Sequence, residues 1–515
     1  MEISIKKSKS SRILGYIPVL FLLSFIWFIL VCTLFCRAEY CSYKYYDNPA
    51  WGNQDTFSLI IDTTLLFVLV ILIYKMGSWL DRFSRRQVLF IIVYLLVLTQ
   101  LLFIFYFPAK QFADQDIVNN IAYEIIEGNF TAFQKKGYLY QYPNNIGITL
   151  FLSVIYRLFP ETLIVPKLLN VAFSTITALL VFRIYEEIFS PKKTNNYALL
   201  IFSGFFPPMI MLNNLVYNDI YATTLFLGYV FYAIKFIKTK NSNYLVLAGI
   251  LLIMGNFLRQ VGAVFLLAIL AYFIIKRVSL PKSLAFFGIV LILFRMPMFL
   301  MNNYLIKTEK ITEIIGTNSI PIDMWIHMGM NEEKFGYWDD SHSLDIYSNQ
   351  GKYDKEKSRQ MYRLLISKKL KEKGLSNLAK VYIKKNIWLW TEGTYQAEYY
   401  GVGSWGHLYS TVATEKLDSS VLFRDSIRWI LHVINTLMFG LIFIGLFESI
   451  RNKALYPLLL PAIIVIGFIG FYTVWEIKPR YIYPIYPYLI IMAYHGLSAI
   501  KNNIMTLIKL STKND

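Results

Sequence analysis

Residues 146–159 read "IGITLFLSVIYRLF", and whether this run crosses a membrane decides the orientation of everything after it. As a helix it would rise about 21 Å, short of the roughly 30 Å hydrocarbon core of a bilayer. Charge supplies a second criterion, because Lys and Arg accumulate in short cytoplasmic loops. If the run does not cross, the predicted cytoplasmic segments (1–12, 75–87, 190–196, 235–243, 276–282, 450–454 and 499–515) hold 21 Lys and Arg. The predicted external segments (36–56, 108–162, 213–218, 258–260 and 476–480) then hold 9, over a similar total length. The run is therefore read as an interfacial or re-entrant helix, with both termini cytoplasmic.

The rest of the chain demands a membrane. Of its 515 residues 56% are hydrophobic, 17% aromatic and 16% charged, with a mean hydropathy of +0.46. That is too little polar surface for a soluble globule. Apolar segments near 13–35, 57–74, 88–107, 163–189, 197–212, 219–238, 244–257, 261–275, 283–300, 427–449, 455–475 and 481–498 predict about 12 transmembrane helices. The fold expected is an all-α polytopic protein of the plasma membrane, with external juxtamembrane helices and a small external domain. Its parts are an N-terminal two-helix extension (1–87), a membrane core (88–300) with a first external loop (108–162), an external helical and loop region (301–426), and C-terminal transmembrane helices (427–515).

The formal charge of +18 does not point to nucleic acid, because the basic residues punctuate apolar runs and form no single patch. Cys32, Cys36 and Cys41 have neither metal nor redox spacing, although Cys36 and Cys41 are placed to pair outside the cell. "MEISIKKSKSSR" (1–12) has the charge of a signal sequence, but the apolar run after it reaches about residue 35 without a small-residue cleavage pattern. An uncleaved helix is expected. In 301–426, the lysine-rich "KEKSRQMYRLLISKKLKEKG" (355–374) predicts a helix ended by Gly374. A second helix, with Ser376 as N-cap, leads into "IWLW" (387–390).

Chemistry is sought at the outer surface. "FADQDIVNN" (112–120) places Asp114 and Asp116 at the start of a helix whose face is set by Ile117, Ile121, Ala122 and Ile125 and whose end is marked by Gly128. Simple capping accounts for either acid alone. The sharper reading makes one of them a general base toward a hydroxyl, in a site whose aromatics exclude water, as sugar transfer requires. "WEIKPRYIYPIYPYL" (475–489) sets Glu476, Lys478 and Arg480 immediately before the last apolar segment, which opens on Tyr481 with alternating Tyr and Pro. An interfacial aromatic belt with snorkelling charges explains it in part. Arg480 on the outer face runs against the charge bias and suits bidentate phosphate recognition, with Lys478 beside it. Arg259, in a short external turn, is either a headgroup cation or a second phosphate contact. His327 is read as a packed histidine, since no nucleophile motif accompanies it.

Nucleotide-binding loops, zinc-protease and hydrolase signatures are all missing. An outward-facing enzyme also has no supply of nucleotide sugar, so an activated sugar would arrive on a lipid carrier. The ordered series "FADQDIVNNIAYEIIEGNF", "YLYQYPNNIGITLF", "VPKLLNVAFSTITALLVFRIYEEIF", "GFFPPMIMLNNLVYNDIYATTLFLGYVFY" and "WEIKPRYIYPIYP" resembles the glycosyltransferase C superfamily. Its nearest branch is the bacterial family 39-like group, related to protein O-mannosyltransferases and lipid A aminoarabinose transferases. The resemblance covers nearly the whole chain, the first two spans looking like an extension.

The resemblance implies inverting transfer from a polyprenyl-phosphate sugar to an extracytoplasmic acceptor: a wall polysaccharide, a teichoic acid or a protein. It carries the base onto Asp114, with Asp116 as rival, and the carrier phosphate onto Arg480, Lys478 and Arg259. Tyr142, Pro143, Asn144 and Asn145 would form the floor under the donor, and 301–426 would cap the cleft. Many relatives have Asp-Glu where this chain has Asp114-Gln115, and no metal or other cofactor is expected. A transporter or flippase, or a polysaccharide polymerase, is the rival reading. The missing internal repeat and the outer placement of the salient charges oppose a transporter.

Overall fold

The computed structural model describes residues 9–39, 49–160, 162–189, 197–339, 343–403 and 405–514, with side chains from Leu14 to Lys501. In chain order the helices begin with α1 (Lys9–Phe35), α2 (Thr56–Leu80), α3 (Arg85–Tyr106), α4 (Asp114–Ile126), α5 (Tyr138–Gln141), α6 (Ile146–Leu158) and α7 (Ile164–Phe189). Next come α8 (Tyr197–Gly204), α9 (Pro207–Leu212), α10 (Asp219–Thr239), α11 (Ser242–Leu258), α12 (Gly262–Ile275), α13 (Leu280–Leu293) and α14 (Met296–Lys307). The last are α15 (Asp323–Gly329), α16 (Lys355–Glu392), α17 (Ala397–Gly401), α18 (Val412–Ser419), α19 (Val421–Arg451), α20 (Tyr456–Val474) and α21 (Tyr486–Asn514). The strands β1 (Arg37–Glu39) and β2 (Ala50–Gly52) pair antiparallel. Cys41 lies outside the described residues, while Cys32 and Cys36 are free thiols.

The protein is an all-α polytopic membrane protein. Among the described residues, eight helical stretches are long and apolar enough to cross a bilayer: α1, α2, α3, α7, α10, α13 with α14, α19 and α20. This criterion does not reach the twelve expected from apolar runs. The run 197–212 is split into α8 and α9 where Pro207 opens a new helix, because proline has no N–H to continue the old one. The helices α11 and α12 have 17 and 14 residues. Outward-facing apolar side chains on α2 and α3, such as Phe57 (74% exposed) and Phe90 (72% exposed), have no protein cover and suit lipid contact.

The 13-residue α6 is of interfacial length. Ile148, Leu152, Ile155 and Tyr156 are buried, while Val154, Leu158 and Phe159 are exposed on the other side. It packs on α4 and, through Gly147, on α11. Gly374 breaks α16 at φ 65°, ψ 170°, a conformation that glycine adopts without a Cβ clash. The predicted pair of helices on either side of Gly374 is therefore present, and the first of them is capped by Asp354, which accepts from Lys357 N at 2.8 Å.

Candidate active site

Ala113, at φ 51° and ψ −129°, turns the chain abruptly so that α4 opens on Asp114. Such a backbone conformation is costly for a residue with a Cβ, and surrounding contacts have to hold it. They do so on both sides. Lys110 N donates to Gly406 O at 3.1 Å and Leu408 N to Pro108 O at 2.7 Å. Phe112 stacks on Trp405 with ring centroids 3.8 Å apart. On the inner side the Lys167 ammonium donates to Ala109 O at 2.8 Å, and Gln111 Oε1 accepts from Val216 N at 2.8 Å.

Asp114 faces a cleft of about 1370 Å³. Ten of the residues singled out in the sequence line it: Asp114, Tyr142, Pro143, Asn144, Asn145, Arg259, Glu476, Lys478, Arg480 and Tyr481. Asp116 is exposed, accepts from Asn120 Nδ2 at 3.3 Å and does not line the cleft. It sits two residues along the helix from Asp114, and a helix turns about 200° over that distance. His327 is a packed histidine, with Nδ1 3.3 Å from Ser343 Oγ.

The cationic wall is built around an acid that the sequence reading left out of the site. Asp219, the first residue of α10, is buried and takes Arg259 Nη1 on Oδ1 at 2.6 Å and Arg480 Nη1 on Oδ2 at 3.3 Å. Arg259 Nη1 also meets Asn218 Oδ1 at 3.0 Å. The Arg480 guanidinium is sandwiched between Tyr217 (5.0 Å) and Tyr400 (4.9 Å). With its amide oriented to satisfy both neighbours, Gln115 accepts from Arg480 at 2.8 Å. Two guanidiniums share one carboxylate, which leaves net positive charge. The Nε atoms of both Arg259 and Arg480 are buried without a hydrogen-bond partner among the described residues. Both arginines line the cleft, and their combined charge exceeds that of the one carboxylate they share, which suits an anion there.

Lys478 lies over Tyr337 (5.5 Å) and Trp338 (5.8 Å). Tyr481 Oη donates toward Glu476, 3.4 Å from Oε2. The roof comes from 301–426, where Trp325, Trp338, Lys334 and Lys355 line the cleft and Trp325 stacks on Trp475 at 5.9 Å. Ile477 N donates to Gly336 O at 2.9 Å. The buried Lys385 ammonium reaches the carbonyls of Gly329, Thr473 and Trp475, which ties the roof to the wall.

Asn145 lines the cleft and makes two further contacts. Its amide joins Tyr138 and Tyr217: Tyr138 Oη donates to Asp114 Oδ1 at 2.8 Å, Asn145 Nδ2 to Tyr138 Oη at 2.7 Å, and Tyr217 Oη to Asn145 Oδ1 at 2.7 Å. Burial first, then the charge on Asp114, holds the Tyr138 hydroxyl well above its ordinary titration range. Asp219, Tyr138, Tyr217 and Gln115 are the residues that reading missed. "NDIY" (218–221) carried a signal, an acid directly before an apolar helix.

Residues 144–301 match the family model of the dolichyl-phosphate-mannose-protein mannosyltransferases, which supports the resemblance to the glycosyltransferase C superfamily. The matched segment holds Asn145, Tyr217, Asp219 and Arg259 and ends before Arg480. No curated protein and no solved structure matches the chain.

Proposed function

We propose that this chain, which the family match supports as a membrane glycosyltransferase of the glycosyltransferase C type, moves a sugar from a polyprenyl-phosphate carrier to a hydroxyl of an envelope acceptor, with inversion. The observation that carries this reading is one cleft holding both a carboxylate, Asp114, and a guanidinium pair, Arg259 and Arg480, that shares a single buried carboxylate. In this scheme Asp114 takes the proton of the acceptor hydroxyl as its oxygen attacks the anomeric carbon. The bond from that carbon to the phosphate oxygen breaks, and the electron pair leaves with the carrier phosphate. Arg480, Arg259 and Lys478 stabilise the charge that develops there, and fixed donors in a site shielded from water do so without reorganising. The roof residues Trp325 and Trp338 offer stacking surfaces for an acceptor sugar. The positive-inside count supports an extracytoplasmic cleft with both termini in the cytoplasm.

Asp114 is preferred to Asp116 because only Asp114 reaches the cleft. The reaction is proposed without a metal, because the side chain next to Asp114 is the neutral Gln115, turned to Arg480. The test is transfer of radiolabelled sugar from a panel of undecaprenyl-phosphate hexoses to envelope acceptor, in membranes with matched expression. Asp114→Asn should lose at least about 100-fold, in line with removal of a general base. Asp116→Asn should stay near wild type, and EDTA should leave the rate unchanged. Transfer that survives Asp114→Asn would sink the base assignment. No transfer by wild type from any donor, together with movement of the lipid-linked sugar across the membrane, would favour a flippase.

A further inference from the structure

We propose that Tyr138 is the positioning residue of Asp114, held by Asn145 and Tyr217 in a one-way hydrogen-bond chain whose far end is the ring beneath Arg480. The inference rests on the reading of Asp114 as base. The direction of the chain follows from chemistry. An ionised carboxylate can only accept, so the single Tyr138 proton goes to Asp114 Oδ1. The Tyr138 oxygen must then accept, and the Asn145 amide nitrogen donates to it. That orientation turns Asn145 Oδ1 toward Tyr217, whose hydroxyl donates. Asn144 Nδ2 donates to the same oxygen at 3.2 Å. Each bond polarises the next, and a chain of this kind strengthens its terminal bond.

Two consequences follow at the site. With Oδ1 occupied by Tyr138, the carboxylate is fixed in rotation and Oδ2 is left for the acceptor proton. The Tyr217 ring that ends the chain also carries the Arg480 guanidinium on its face. The base and the phosphate wall are thereby built on one connected set of side chains. Tyr142, 5.0 Å from Tyr138 between ring centroids, and Tyr481 also face this pair. Arg480 and Arg259 stand beyond Tyr217. Burial keeps Tyr217 and Tyr481 protonated, so neither competes as a base.

Carbodiimide labelling of Asp114 at one fixed pH, read by mass spectrometry, needs no sugar transfer. In Tyr138→Phe the labelling should rise, because Oδ1 loses its donor. Tyr217→Phe should raise it by less. Transfer should show kcat lowered and donor KM unchanged. Unchanged labelling in Tyr138→Phe, or a donor KM that rises while kcat stays in place, would overturn the proposal. Unchanged labelling in Tyr217→Phe alone would remove Tyr217 from the chain. If Asp114→Asn keeps its activity while Tyr138→Phe still changes the labelling, the base assignment fails and the positioning of Asp114 stands.

Discussion

Asp219 shows what one buried carboxylate does for two arginines. Without it, the buried Arg259 and Arg480 would be left with repulsion and desolvation both uncompensated. Asp219→Ala should therefore cost about 3–5 kcal/mol, the usual result of breaking a buried pair by removing one partner. A fall in the melting midpoint of the detergent-solubilised protein, with loss of transfer, is the expected readout. A midpoint within a degree of wild type would mean that solvent already compensates the two charges. Arg259 and Arg480 were legible in the sequence because a cation in a segment predicted to be external breaks the charge bias. Their partner was not, because Asp219 is 40 residues from one and 261 from the other, and spacing carries no information over such distances.

At the scale of elements, close approach of backbones fixes where the site's supports lie. A Cβ on Gly147 would fall inside contact distance of the Phe257 carbonyl, where α6 crosses α11. A Cβ on Gly440, in α19, would meet nothing within 4 Å. Gly147→Ala should accordingly destabilise by about 1–3 kcal/mol through overpacking, and it should disturb Asn145 two residues away. Gly440→Ala should be neutral or slightly stabilising, since alanine favours a helix interior by roughly 1 kcal/mol. Comparison of detergent melting midpoints checks both, and equal shifts would refute the packing argument. The helices α4 and α6 and the break at Gly374 were readable from apolar periodicity and glycine. The clasp of 405–411 over 105–112 was not, since it joins segments about 300 residues apart and leaves no local pattern.

For the molecule as a whole, α1 joins the body through the buried side chains of Val19, Leu22, Ile26 and Ile29, and charged groups gather just beyond its end. Arg37 and Glu39 border the same small cavity as Glu392, Glu398, Arg428 and His432. Burial, then the neighbouring charge of Glu398, holds the Glu392 carboxyl well above the ordinary range, against donors from Thr394 and Tyr395. Its folded-state value thus exceeds the unfolded one, near 4.3. The folded protein binds the extra proton, so this contribution is complete at low pH and is lost as pH rises from about 5 through neutrality. Glu392→Gln should remove that slope and raise the melting midpoint at alkaline pH by about 2–4 °C. A slope unchanged in the variant would place the titration elsewhere.

The sequence by itself determined the class of molecule and pointed to ten of the residues that line the cleft, and the interfacial reading of 146–159 and the outer placement of the chemistry are proposals drawn from it. These follow from hydropathy, charge bias and local residue type, which act over one helix or one loop. Only the tertiary structure decided that Asp114 and not Asp116 enters the cleft, that Asn145 bridges two tyrosines, and that Asp219 holds both arginines. Those outcomes depend on helix rotation and on contacts between segments distant in the chain, and they are set by how the helices pack.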